Sequence, residues 1–340
     1  MQNIYIGSFP INGGGVTNKN RDLYDALILA GVKISKLDLN DIKSKKNVKT
    51  LFGLALALIN RSNRFVVGIS TGKNTRRNFC RLLYMVNRKS MKKSILIMMG
   101  GNDNNNIIRD QAYAKWIACY QRVYVETEGM KQSLESIGLN NIAIYPNCRF
   151  RPKADIIPKD NAGNLRCVFF SFIQPEKGID LVLNAAKSLP SVQFFVYGRV
   201  AEDYQTCFET NVNALSNVSY MGNFQGSSEE VYAELSKYDI LLLPTKWNSE
   251  GVPGVLVEGK IAGLAEIVSN KSYNAEIVRN GIEGFVLEEN SGEELCAAIK
   301  GLQRDRDLLA QIKAGSKKSA ERFYIENYIG AIKKVLEERV

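Results

Sequence analysis

The sequence contains no histidine. Imidazole acid–base catalysis, Ser–His–acid triads and histidine-ligated metals are therefore excluded, leaving carboxylates, Lys/Arg, Tyr, Ser/Thr, Cys and backbone dipoles as the chemical repertoire. Its six cysteines, at 80, 119, 148, 167, 207 and 296, never stand at C-x-x-C spacing. That argues against a zinc site or a disulfide framework and for a reducing, cytoplasmic setting. Long apolar runs are missing as well. The longest, Leu51 to Ile59, is nine residues including a glycine, against the roughly 20 that span a bilayer. Met1-Gln2-Asn3 leads straight into Ile4-Tyr5-Ile6-Gly7 without a basic n-region, so no signal peptide is expected. Acidic residues are absent between Leu51 and Gly100, where ten basic residues fall.

What is present is the composition of a soluble globular protein: 340 residues, 45% hydrophobic and 24% charged. That length suits two domains of about 150 residues each. The net charge of +10 is unevenly held, because residues 1–150 carry 23 Lys/Arg against 9 Asp/Glu and the remainder 22 against 26. A basic field of this size attracts polyanions, the candidates being anionic lipid, a phosphorylated substrate and, third, nucleic acid, for which no recognition module is present. Among the charges, Phe79, Leu82, Leu83, Met85 and Val86 recur at helical spacing. Periodicity alone leaves two readings of equal weight: an amphipathic basic helix on a membrane surface, or a helix whose apolar side covers its own sheet.

Short apolar runs alternate with helical patterns such as Asn20–Ala30 and Ile179–Ser188. The first series of candidate strands is Asn3–Gly7, Val32–Leu37, Phe65–Ile69, Ser94–Met99, Arg122–Val125 and Ile142–Tyr145. The second is Cys167–Phe172, Gln193–Tyr197, Val218–Met221, Ile240–Leu243, Glu266–Val268 and Gly284–Leu287. This alternation predicts an α/β protein with two doubly wound, Rossmann-like domains facing a central cleft, and ligands at the carboxyl ends of the strands. The polar stretch Arg149 to Asn164 separates the series, giving domains at 1–150 and 160–319. A final helix in 320–340 has Tyr328, Ile332, Val335 and Leu336 on one face.

Four segments could hold a ligand. Gly13-Gly14-Gly15 follows the first strand and permits close backbone approach ahead of a helix N-terminus. Tyr145-Pro146-Asn147 closes the first series and by itself is a turn. Pro175-Glu176-Lys177-Gly178 follows a buried strand, so the Lys177 ammonium can meet a phosphate there. The fourth runs from Leu243 to Gly263. Pro253 suits the start of a helix and Gly263 its end, so Glu250 falls in the loop before it and Glu258 inside it. A carboxylate so placed can accept from a diol while free first-turn amides face a diphosphate; the plainer alternative is two solvated acids.

Taken together and in this order, the segments resemble the GT-B glycosyltransferases, in particular the retaining family 4, also called glycosyl transferases group 1. The E-x7-E element, Glu250 to Glu258 with Gly251, Pro253 and Gly263, is the most specific part. The P-E-K-G turn, the P-N pair at Pro146-Asn147, the glycine loop and a last helix crossing back onto the first domain complete it. The resemblance implies a retaining, metal-independent transfer of a hexose-type sugar from a UDP-, GDP- or ADP-sugar to a glycan or lipid-linked acceptor, in surface polysaccharide or glycolipid synthesis. It implies no cofactor. Glu258 would hold the ribose hydroxyls and Lys177 the diphosphate. Glu250 with the backbone of Gly251, Val252, Pro253 and Gly254 would hold the sugar and a phosphate, and Gly14 and Gly15 would close against the diphosphate from the other domain.

Three positions depart from the family pattern. Phe172 stands five residues before Lys177, where the family has arginine, with Arg199 a candidate replacement. Ala265 replaces a proline, and the first-domain histidine is missing, its loop corresponding to Gly100–Asp103, where Asn102 or Asp103 could serve as the polar contact. These departures motivate an alternative in which the chain is a catalytically weak or inactive sugar-nucleotide-binding subunit that scaffolds another transferase. The basic first domain motivates a cytoplasmic protein peripheral to the inner face of the plasma membrane.

Overall fold

The computed structural model describes residues 2–9, 15–41, 48–70, 72–101, 103–158, 163–248 and 250–338; the side chains of residues 15, 16, 48 and 73 are outside the description. Two compact units are present, one made of 1–151, 249–252 and 323–340 and the other of 152–248 and 253–322.

The first unit is a parallel six-stranded sheet of β1 (Asn3–Gly7), β2 (Ile34–Asp38), β3 (Arg64–Gly68), β4 (Ile95–Ile97), β5 (Arg122–Val125) and β6 (Ile142–Ile144), in the order β2-β1-β3-β4-β5-β6. β3 is buried along its whole length because α/β crossovers cover both faces of the sheet. Helix α1 (Gly15–Leu29) follows β1 and starts five residues earlier than the apolar pattern shows. It is seated by Asn20, whose Nδ2 donates to the carbonyls of Ser8 and Gly68 and whose Oδ1 accepts from the Tyr5 hydroxyl. Gly68 is required there, since a Cβ would stand 2.1 Å from Asn20 Oδ1. Helices α2 (Val48–Ile59) and α3 (Thr75–Val86) precede and follow β3.

The structure divides the apolar residues of the basic helix into two sets. Phe79 and Leu83 are buried, whereas Leu82, Met85 and Val86 are exposed. One apolar side is buried within the unit and the other faces solvent.

The second unit repeats the architecture with β7 (Arg166–Phe170), β8 (Gln193–Tyr197), β9 (Val218–Tyr220), β10 (Ile240–Leu243), β11 (Ala265–Ser269) and β12 (Gly284–Leu287) in the order β12-β11-β10-β7-β8-β9, all parallel. Its helices include α4 (Ile179–Ser188), α5 (Ser228–Leu235), α6 (Gly254–Ala262), α7 (Gly292–Arg304) and α8 (Arg306–Ser319). Ser227 and Glu230 form a reciprocal capping box at α5, which satisfies two end amides. Strands β10 and β11 are wholly buried.

The chain then enters α9 (Glu326–Glu337), which belongs to the first unit. Ile332 and Leu336 are fully buried there among Tyr5, Leu27, Val66 and Ile97, with Tyr328 and Val335 packed at the margin. A backbone exchange at Arg149, whose N–H donates to Phe323 O and whose carbonyl accepts from Ile325 N–H, both at 2.9 Å, fixes the helix entry.

Candidate functional site

In the second unit the candidate residues gather at the carboxyl ends of β7, β8 and β10. The Pro175–Lys177 turn is pinned from the side of β10: Lys246 N–H donates to Glu176 O at 2.8 Å and the Thr245 hydroxyl to the same oxygen at 3.2 Å. Gly178 has φ 79°, and a Cβ there would come within 2.0 Å of Pro244 O, so only glycine fits between the two loops. Lys177 projects over the Trp247 ring, its Nζ 5.8 Å from the centroid.

On the next strand, Gly198 has φ 141° and its missing side chain makes room for Ser171 O, 1.8 Å from an ideal Cβ. That close approach joins the loop after β8 to the loop after β7, where Ile173 N–H donates to Arg199 O. The Arg199 guanidinium then lies over the Phe172 ring, 5.1 Å from its centroid. A cation thus stands on the side chain that occupies the position where a cation was missing from the pattern, an arrangement stabilised by the ring quadrupole.

Helix α6 begins at Gly254 with Pro253 as N-cap, φ −60° and ψ 125°, and no side chain caps it. Its first amides are therefore not taken by a capping side chain, the arrangement that favours an anion. Its far end is closed by Gly263 in the left-handed region, φ 77°. Glu258 lies in the second turn and is half-buried. Gly259 lets the helix approach the sheet, since a Cβ would stand 2.7 Å from Leu241.

Behind this helix Lys260 is fully buried between Glu266 at 2.8 Å and Glu283 at 2.9 Å. The two carboxylates titrate in opposite directions. Burial pushes Glu266 up to about 7 despite Lys260. Burial would also raise Glu283, but Lys260, Arg279 and Arg322 outweigh it and hold it below the usual range.

The remaining candidates lie in the first unit, to which the strip 249–252 belongs. Gly251 packs so closely that a Cβ would come 1.7 Å from Glu126 Oε2 and 3.3 Å from Gly100 Cα. The Val252 peptide is held at both ends: its N–H donates to Glu126 Oε2 at 2.9 Å and its carbonyl accepts from Asn147 Nδ2 at 3.0 Å. Glu126 in turn accepts from Lys19 Nζ at 2.7 Å, and that ammonium also donates to Tyr145 O at 3.2 Å. Lys19 and Glu126 are 1% and 5% exposed, and a buried ion pair with every polar atom engaged is rigid. Neither residue is singled out by sequence pattern. The available signals are a lone lysine one turn into the helix after the glycine loop and a lone acid directly after the apolar β5.

Gly15 is the first residue of α1, whereas Gly14 lies outside the described residues, as does Asn102. Asp103 opens the helix Asp103–Arg109 and is buried, its Oδ2 accepting from Arg76 Nη1 at 2.7 Å and from the Tyr113 hydroxyl at 2.8 Å. That oxygen is engaged in holding Arg76. Among the described residues no group of three or more Cys, Asp or Glu is placed to hold a metal ion. The structure therefore brings Lys177, Arg199, Pro253, Gly254 and Glu258 onto one unit, and Gly15, Asp103, Glu250, Gly251 and Val252 onto the other.

Comparison with known proteins agrees with this division. Residues 154–319 match the family model described as glycosyl transferases group 1. An uncharacterized glycosyltransferase of Methanocaldococcus jannaschii is 26% identical over 172 residues, half of this chain and 47% of that protein. The UDP-Gal:alpha-D-GlcNAc-diphosphoundecaprenol alpha-1,3-galactosyltransferase of Escherichia coli is 26% identical over 136 residues, 40% of this chain and 34% of that enzyme. The matches thus span half or less of the length of these curated relatives. Among solved structures, Anabaena HepE in complex with UDP superposes over 99% of both chains with a TM-score of 0.72 at 14% identity, and the same protein has been solved with UDP-glucose. The stretch that resembles glycosyl transferases group 1 thus falls, but for the strip 249–252, within the second unit, and the chain as a whole has the two-domain α/β fold of the GT-B type.

Proposed function

We propose that this protein is a retaining glycosyltransferase that moves a sugar from a nucleotide-sugar donor to a glycan or lipid-linked acceptor in surface polysaccharide or glycolipid synthesis. The observation that carries the reading is that the stretch matching glycosyl transferases group 1 is also the stretch that holds Lys177, Arg199, the uncapped start of α6 and Glu258 at one edge of one sheet. Such an edge suits a nucleoside diphosphate. The α6 amides and the Lys177 ammonium neutralise the charge that develops on the departing diphosphate, so the chemistry needs no metal. Glu258 accepts from the ribose diol, and Glu250 with the Gly251–Gly254 backbone positions the sugar. The acceptor hydroxyl attacks from the face on which the nucleotide leaves, which retains configuration.

UDP is the first donor nucleotide to try, because HepE, which shares the fold, was captured with UDP and with UDP-glucose. The galactosyltransferase of Escherichia coli, by its name, acts on a diphosphoundecaprenol-linked sugar, which supports a lipid-linked acceptor here.

The test is a thermal-shift and hydrolysis screen against UDP-, GDP- and ADP-sugars with EDTA present. One donor should stabilise the protein and be slowly hydrolysed, and Glu258→Ala should lower donor-dependent turnover by about a hundredfold with an unchanged unfolding midpoint, the effect of losing charge-assisted hydrogen bonds. Full activity in Glu258→Ala, or no response to any donor, would overturn the assignment.

A further inference from the structure

Helix α2 is unusual for a helix on a sheet. Its twelve residues, Val48-Lys-Thr-Leu-Phe-Gly-Leu-Ala-Leu-Ala-Leu-Ile59, include only two polar side chains. Ala57 and Leu58 are buried on the domain, while Leu51, Phe52, Leu56 and Ile59 form one exposed stripe at helical spacing, with Phe52 and Ile59 each 63% exposed. A soluble helix normally places charge on that side.

The carboxyl end of this helix is tied to the carboxyl end of α3. Asn87, just past the end of α3, donates from Nδ2 to Leu58 O at 2.8 Å and to Asn60 O at 3.1 Å. The Ser90 hydroxyl donates to the same Asn60 carbonyl at 3.2 Å. These bonds hold the carboxyl end of α2 beside the corner where Met85 and Val86 are exposed. Around that corner Arg61, Arg81, Arg88, Lys89 and Lys92 are also exposed. No acid lies between Leu51 and Gly100, and Lys43, Lys45, Lys46 and Lys49 precede or open α2 in the sequence.

Apolar side chains flanked by cations of one sign match a surface that is apolar beneath and anionic on top. We infer that α2 and the α3 corner form an interfacial anchor for an anionic lipid bilayer. Leu51, Phe52, Leu56, Ile59 and Met85 enter the boundary between headgroups and acyl chains, while the surrounding Arg and Lys side chains meet lipid phosphates. At twelve residues α2 is too short to span, and no helix among the described residues is long and apolar enough to cross a membrane. The helix lies along the surface. The anchor does not depend on donor chemistry, so it can fail while the transferase reading stands.

Co-sedimentation with vesicles tests it, using phosphatidylglycerol mixed with phosphatidylethanolamine against phosphatidylcholine alone. The full chain is expected to pellet with the anionic vesicles and remain in solution with phosphatidylcholine. Phe52→Asp with Ile59→Asp should weaken the anionic partition about tenfold or more, since both apolar insertions are lost. Arg88→Glu with Lys89→Glu should weaken it about tenfold as well, through the lost attraction of two cations. All four side chains are exposed, Arg88 giving up only its stack on the Tyr84 ring 4.9 Å away, so the unfolding midpoint should move little and any donor-induced thermal shift should stay put. Equal pelleting of the Phe52/Ile59 variant and the parent overturns the inference, as does failure to pellet with any vesicle. So does a lipid-free dimer that the Phe52/Ile59 variant abolishes, which would assign the stripe to a second copy of the chain.

Discussion

At the scale of single residues, the pairing of Arg199 with Phe172 changes how a departure from pattern is read. The position where the resemblance led us to expect a cation carries an aromatic ring, and the ring seats a guanidinium delivered from the neighbouring strand. If Arg199 meets the donor diphosphate, Arg199→Ala should lower kcat/KM by about tenfold to a hundredfold, the range for one charge-assisted contact. Adding Phe172→Arg to that variant should restore much of the loss. Steady-state kinetics of the single and double variants decide it, and an undiminished Arg199→Ala removes the residue from the site.

Glu266 gives a second prediction, about stability. Its carboxyl is pushed up to about 7 in the folded protein from 4.5, so the native state holds the proton more tightly than the unfolded chain does. Its contribution is therefore full below pH 4.5 and is lost as pH rises from there to about 7. Thermal denaturation across that window should show the parent losing stability relative to Glu266→Gln as pH increases. Parallel curves would refute the assignment.

At the scale of elements, period and punctuation read well. All twelve strands among the described residues were legible as apolar runs between turn residues, and the Pro253 to Gly263 bounds of α6 followed from the backbone preferences of those two residue types. The Lys19–Glu126 pair was not legible, because residues 107 apart in sequence meet only through the order of strands in the sheet. The division of α3 into a buried and an exposed apolar stripe was equally hidden, since a helical period marks residues that share a face and is silent on what covers it. Helix α9 shows the opposite case, its apolar face being readable and its seat among Tyr5, Leu27 and Val66 a matter of topology. Ile332→Ala should cost on the order of 2–4 kcal/mol, because a fully buried side chain would leave a cavity at the joint between the last helix and the first sheet. Denaturant titration measures it, and a loss below about 1 kcal/mol would mean the joint is loose.

At the scale of the whole molecule, charge and architecture are distributed differently. The two sheets are near copies in strand count, direction and burial, while the net charge of residues 1–150 is strongly positive and that of the rest negative. Duplicated architecture thus carries opposed charge, an asymmetry that composition alone revealed. The units also interleave along the chain: residues 1–151 are completed by the strip 249–252 and by 323–340. During synthesis the ribosome therefore releases the first sheet early, with its apolar side still awaiting Ile325, Ile332 and Leu336 and its Glu126 carboxylate still awaiting the Val252 amide. The second unit, whose last residue is Arg322, has all its parts before the first does. The order of emergence and the order of completion are thus reversed, and the nascent first unit must be kept from aggregating for the time it takes to translate the rest of the chain.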